Sequence, residues 1–168
     1  MMEVVLADNP DEHPALTQAA AALFTRWQKR AAVADLEQAL VYLDRAVGLT
    51  QTDGQNWSLR AHVRRLSGDL DGAASDLAAA ASLMPHKPGL AMQAADIRLQ
   101  LGEPAEALLV LDPLRGDFQN NVNMLLLSAR ARHMSGDREG ALLDAAKAAA
   151  AASRDRRVEE LMNELSPQ

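Results

Sequence analysis

The sequence predicts an all-α fold built from repeated helical hairpins, and three observations carry that expectation. A 34-residue period runs through the chain: Gly68, Gly102 and Gly136 are each followed by an acid, Asp69, Glu103 and Asp137, and then by Ala73, Ala107 and Ala141. Arg64, Arg98 and Arg132 recur in the same register. Alanine, the best helix former, contributes 33 of the 168 residues. Aromatic residues make up only 3%, which leaves too few β-favouring side chains for a sheet protein.

Taken in order, residues 1–12 read as an irregular tail, and His13 to Arg30 as a long first helix. The tail lacks a basic segment followed by a long apolar run, so it does not read as a signal peptide. One domain is the default at this length. The period frames the chain at 20–53, 54–87, 88–121 and 122–155, within a repeat region of 13–155, and each frame reads as helix, turn, helix. Glycine ends the first helix of the later frames, where the closing residue takes a left-handed conformation. The acid after it suits an N-cap or first turn, which the helix dipole favours for negative charge. Pro104 then stands where a missing N–H costs nothing. The first frame is degenerate: it keeps Ala34, Asp35 and Ala39 but has no glycine.

Second helices carry apolar or small residues at helical spacing: Ala39, Leu43 and Ala46; Ala73, Leu77 and Ala80; Ala107, Leu111 and Leu114; Ala141, Ala145 and Ala148. Pro113 interrupts the third of these and is expected to kink or shorten it. Residues 156–168 read as a C-terminal capping helix, with Val158, Leu161, Met162 and Leu165 on one face.

This register resembles the tetratricopeptide repeat. The second frame carries the resemblance best, with Trp57 and Ala61, then Gly68, Ala73, Leu77, Ala80 and Pro85; Ala95 and Ala129 keep the small residue of the first helix. The chain departs from the family at Arg64, Arg98 and Arg132, where a large side chain such as tyrosine is usual, and at Trp27, where a small one is usual. The resemblance implies a right-handed superhelical α-solenoid of about four hairpins. Its first helices would line a concave groove and its second helices would form the convex back. It also implies a protein–protein interaction module, such as a scaffold, adaptor or chaperone; the absence of catalytic motifs leads to the expectation that it is not an enzyme. On the family's geometry the peptide-binding groove would be lined by Leu59, His62, Arg65, Met92, Asp96, Leu99, Leu126, Arg130 and His133, with Leu127 and Met134 beside them. The family's clamp for acidic chaperone tails is not matched, because its places hold Phe24 and Gln28, or Ser58 and His62.

Composition sets limits on the chemistry. Without cysteine there is no disulfide framework or thiolate metal site. A net charge of −6 argues against nucleic-acid binding. No apolar run is long enough to span a bilayer, so a cytoplasmic protein without membrane insertion is expected. No phosphate-binding loop, dinucleotide fingerprint or nucleophile elbow is present, and His13, His62, His86 and His133 lack metal-ligand spacing. Neither a cofactor nor a metal is therefore expected.

Charge is segregated along the period. First-helix segments 20–33, 54–67, 88–101 and 122–135 hold nine basic residues and one acid, a net of +8. The turn and second-helix segments hold 15 acids and six basic residues, a net of −9. Arg64, Arg98 and Arg132, repeated in every later unit, are expected to pair with acids of their own repeat. On the family's geometry Arg65 and Arg130 would fall at groove-facing places. The expected partner is a protein or peptide segment, acidic with apolar anchors, and the tail 1–12 has that composition itself. Self-assembly into homo-oligomers is the alternative, and an enzyme the remote one.

Overall fold

The computed structural model describes residues 13–165, so the tail 1–12 and residues 166–168 lie outside the described residues. The described residues form nine α-helices and no strand. These are α1 (His13–Arg30), α2 (Val33–Leu49), α3 (Gly54–Leu66), α4 (Leu70–Leu83), α5 (Pro88–Gln100), α6 (Pro104–Leu111), α7 (Val122–Met134), α8 (Arg138–Ala151) and α9 (Arg156–Leu165). The chain divides after Lys87 into two compact units, where one was the default from length. A repeat array lacks a single central core, because each hairpin is covered chiefly by its neighbours. The first unit contains α1 to α4 and the second α5 to α9. Consecutive helices pair as hairpins, α1 with α2, α3 with α4, α5 with α6 and α7 with α8, and α9 packs on α8 and α7.

Helices α3, α5 and α7 begin at Gly54, Pro88 and Val122, 34 residues apart, and each ends in the same way. Gly68, Gly102 and Gly136 adopt φ of 86°, 79° and 81°. The following amide closes a six-residue loop, Asp69 N to Arg64 O at 3.0 Å, Glu103 N to Arg98 O at 2.8 Å and Asp137 N to Arg132 O at 2.9 Å. Three identical helix-closing turns are therefore written by one glycine column. Asp69 and Asp137 then cap α4 and α8 by accepting from Gly72 N and Gly140 N, each at 2.9 Å. Glu103 makes no such cap; Pro104 opens α6 in its place.

The first hairpin turns differently. Ala31 takes φ of 51° and α2 begins at Val33, so the turn lies three residues ahead of Ala34, the place the register assigns to it. With no glycine at 34, the chain reverses at the end of α1, and Asp35 moves inside the first turn of α2.

The alanine column Ala39, Ala73, Ala107 and Ala141 is fully buried at every repeat. Small side chains there let paired helices approach closely. The rest of each second-helix stripe is buried too, including Leu43, Leu111 and Ala145. In the first unit, Ala20 of α1, Leu36, Ala39 and Leu43 of α2 and Val63 of α3 form one cluster. In the second, α6 stops at Leu111 and Pro113 lies in a single 3-10 turn, Asp112–Leu114, so the proline shortens this helix. Val158, Leu161 and Leu165 of α9 are buried, and Arg138 of α8 donates to the Leu165 carbonyl at 2.6 Å.

Candidate functional site

The arginines of the first helices fall into two groups, and burial separates them. Arg60 of α3 donates from Nε and Nη2 to the two oxygens of the buried Asp76 on α4, both at 2.8 Å, and from Nη1 to Asp44 of α2 at 2.9 Å. The Asp76 carboxylate, its closest partner, holds the Arg60 pKa above the ordinary guanidinium value. Arg64 lies 3.1 Å from the same carboxylate and 3.5 Å from Asp69. Arg98 meets Glu103 at 2.6 Å, and Arg132 lies 3.4 Å from Asp144 and 3.9 Å from Asp137. Arg64, Arg98 and Arg132 thus pair with acids of their own repeats.

The Arg60–Asp76 position repeats with substitutions. One period later stand Ala94, fully buried, and Val110. Another period on, Ser128 of α7 donates to the buried Asp144 of α8 at 2.6 Å. There the cation arrives from elsewhere: Arg115, in the turn after α6, donates to Ser128 Oγ at 2.6 Å and lies 3.6 Å from Asp144. By ending α6 early, Pro113 sets the turn that carries Arg115. Arg115 also donates to Asp112 at 2.8 Å, and sequence reading assigned it no role because Ser128 and Asp144 belong to the next frame.

A second group of charges stands on exposed faces. In the first unit, α1 and α3 bring Phe24, Trp27, Leu59, His62 and Arg65 together. Phe24 stacks on Trp27 with centroids 5.8 Å apart and meets the His62 imidazole edge-on at 5.1 Å. Phe24, Trp27 and Leu59 are half-buried, whereas His62 and Arg65 are exposed. Desolvation, and then the neighbouring Arg65 charge, hold the His62 pKa below its ordinary value. Arg65 forms no ion pair among the described residues. Phe24 and Trp27 were not among the expected lining residues. Phe24 shares the register of Met92 and Leu126, but Ser58 stands between them in that register, so no apolar column marks it.

In the second unit, Met92 and Asp96 of α5 are half-buried, and Asp96 accepts from Gln100 at 2.9 Å. On α7, Arg130 and His133 are exposed, as is Met134. Arg130 forms no ion pair among the described residues. Leu99 and Leu126, expected beside them, are 8% and 7% exposed and belong to the core. Their neighbours on the same helices provide the accessible atoms.

Residues 65–131 match the family model of the tetratricopeptide repeat. Those residues, from the end of α3 into α7, carry tetratricopeptide repeats. Solved tetratricopeptide proteins share its fold class across nearly the whole chain. MamA from Desulfovibrio magneticus RS-1, taken from residue 41 to its end, is 15% identical over 89% of this chain and 83% of its own, with a TM-score of 0.70. YrrB, described as a tetratricopeptide protein with an unusual peptide-binding site, is 14% identical over 98% of this chain and 90% of its own, at 0.66. PilF from Pseudomonas aeruginosa is 19% identical over 97% of this chain and 71% of its own, at 0.63. No curated protein matches the sequence. Among the described residues, no helix of this repeat chain is long and apolar enough to cross a membrane.

Proposed function

We propose that this chain is a protein-interaction module, a scaffold, adaptor or chaperone, that binds an acidic peptide segment with one or two apolar anchors. The observation that carries the reading is the sorting of the first-helix cations. Arg60, Arg64, Arg98 and Arg132 are committed to acids of the fold, whereas Arg65 and Arg130 are exposed and carry no ion pair among the described residues. Each stands on a helix that also presents an exposed imidazole, His62 or His133.

In the first unit Phe24, Trp27 and Leu59 supply apolar anchoring beside His62 and Arg65. In the second, Met92 stands with Asp96, Arg130 and His133, and Leu99 and Leu126 support them from the core. Such mixed apolar and basic surfaces suit extended or helical peptides recognised by a few anchors and complementary charge. The description of YrrB as a peptide-binding tetratricopeptide protein supports the same reading.

Fluorescence anisotropy with an acidic peptide carrying leucine anchors tests it. Binding should weaken as salt rises and fail for a peptide in which lysines replace the acids. Equal binding of both peptides would overturn the reading.

A further inference from the structure

The turn between α1 and α2 is made of the wrong residues for a turn. Each of the three glycine turns uses glycine at positive φ, with open space around the missing Cβ. The first hairpin instead places Ala31 at φ 51°, and it is the one non-glycine residue among those described with positive φ. An L-residue in that region is held against its own sterics. Ala31 and Ala32 are also the residue type that most favours helix, and residues 15–47 contain no glycine, proline or asparagine. Local sequence therefore favours one continuous helix through both α1 and α2, while the hairpin demands a reversal at its middle.

What holds the hairpin closed is contact that a second chain can reproduce. Arg26 of α1 donates to both oxygens of Asp35 on α2, at 2.9 and 2.6 Å. Thr17 of α1 donates to Asn56 of α3 at 2.8 Å. Ala20 packs with Leu36, Ala39, Leu43 and Val63. All of these partners lie beyond the turn in sequence, and none depends on which copy supplies α1.

We propose that α1 is an exchangeable element whose partner is a second copy of this chain. With residues 31 and 32 helical, α1 and α2 form one long helix, and α1 of each copy seats on α2 and α3 of the other. The exchange re-forms every α1 contact in trans and removes the left-handed alanine from both copies. A short connection under strain is the setting in which such exchange arises.

The test compares full-length chains refolded at high concentration, with mass measured by light scattering. The wild type should yield a dimer that dissociates slowly on dilution. Ala31→Gly relieves the turn and weakens the long helix, so the dimer dissociation constant should rise by about 100-fold or more. Ala31→Val should favour the dimer further.

A charge exchange separates this dimer from any other. Arg26→Glu sets two carboxylates against each other, and Asp35→Arg sets two guanidiniums together, so each variant alone opposes α1 docking. Mixed, they form complementary pairs only by exchanging α1, and a heterodimer should appear in native mass spectrometry. Wild-type and Ala31→Val chains that stay monomeric while helical by circular dichroism would overturn the proposal. So would a wild-type dimer unchanged by Ala31→Gly, or a mixture of the two charge variants that forms no heterodimer.

Discussion

Arg60 and Asp76 form a two-point ion pair inside the first unit, 2.8 Å at each contact, and both partners change together one period later, to Ala94 and Val110. A buried charge is tolerable only when paired, so a repeat that lacks the arginine does better without the aspartate. Removing one partner should therefore cost more than removing both. Arg60→Ala is expected to destabilise the first unit by about 3 kcal/mol, because Asp76 is left with Arg64 alone. Adding Asp76→Val should recover most of that loss. Urea denaturation followed by circular dichroism measures both, and a double variant no more stable than the single one would refute the pairing argument.

The glycine turns allow a cleaner measurement of backbone strain. A Cβ built on Gly102 meets nothing within 4 Å, yet its φ is 79°. Gly102→Ala should cost about 1–2 kcal/mol from conformation alone. The contrasting case is Gly72, where a Cβ would collide with the Asp69 carboxylate that caps α4. Gly72→Ala should therefore break the Asp69 cap, and Asp69→Ala in that background should cost little more. Thermal melts of the four chains decide it.

In the second unit, Asp144 relies on a residue from outside its own hairpin. Arg115→Ala removes the donor to Ser128 and leaves the buried Asp144 with Arg132 and the Ser128 hydroxyl. A loss of about 1–3 kcal/mol is expected. Ser128→Arg in the same background would place the guanidinium where Arg60 stands in the first unit and should restore part of the stability. Failure to restore any would mean that the two acids occupy different environments despite their shared register.

These cases show where the sequence was legible. The glycine column dictated the later turns because only a left-handed residue closes those helices, and the alanine columns marked the buried stripes by their spacing. The local pairing of Arg64, Arg98 and Arg132 was legible because a residue repeated in every unit meets the same acids. The reach of Arg115 to Ser128 and Asp144 was not, since both lie in the next frame and no periodicity links them. The end of the first helix at Arg30 was legible, but the reversal through Ala31 was not, because the register offers only Ala34 in place of a glycine and nothing in the composition of residues 31–34 distinguishes the alanine that reverses. Phe24 and Trp27 were missed because Ser58 and Ala61 stand one period later, so no aromatic column marks them.

The two groups of arginines should respond differently to charge reversal. Arg98→Glu sets a carboxylate against Glu103, which now lies 2.6 Å from the guanidinium, and should lower stability by about 1–2 kcal/mol. Arg65→Glu with Arg130→Glu should leave the melting temperature nearly unchanged, because both side chains are exposed. The double reversal should instead slow association of an acidic peptide, most clearly at low salt, where the charges act over the longest range. Stopped-flow association rates and melting curves on the same samples separate the effects. A stability loss in the double reversal as large as that of Arg98→Glu would remove Arg65 and Arg130 from the binding face.

His62 gives the binding face a pH signature. Its imidazole rests against the edge of Phe24, and desolvation together with Arg65 holds its folded pKa below the ordinary value. A base depressed on folding contributes stability above its unfolded pKa, about 6.5, and that contribution is lost as pH falls toward the lower folded value. His62→Gln should therefore flatten the decline in stability just below pH 6.5. An acidic peptide acts in the opposite direction, because a ligand carboxylate near His62 favours the imidazolium. Binding should then take up protons, and affinity for an acidic peptide should rise between about pH 7.5 and pH 6, where histidine titrates. Calorimetric titrations in two buffers of different ionisation enthalpy report the proton uptake directly. If His62→Gln keeps the same uptake and the same pH slope as the wild type, the ligand does not approach this imidazole and the anchor lies elsewhere on the chain.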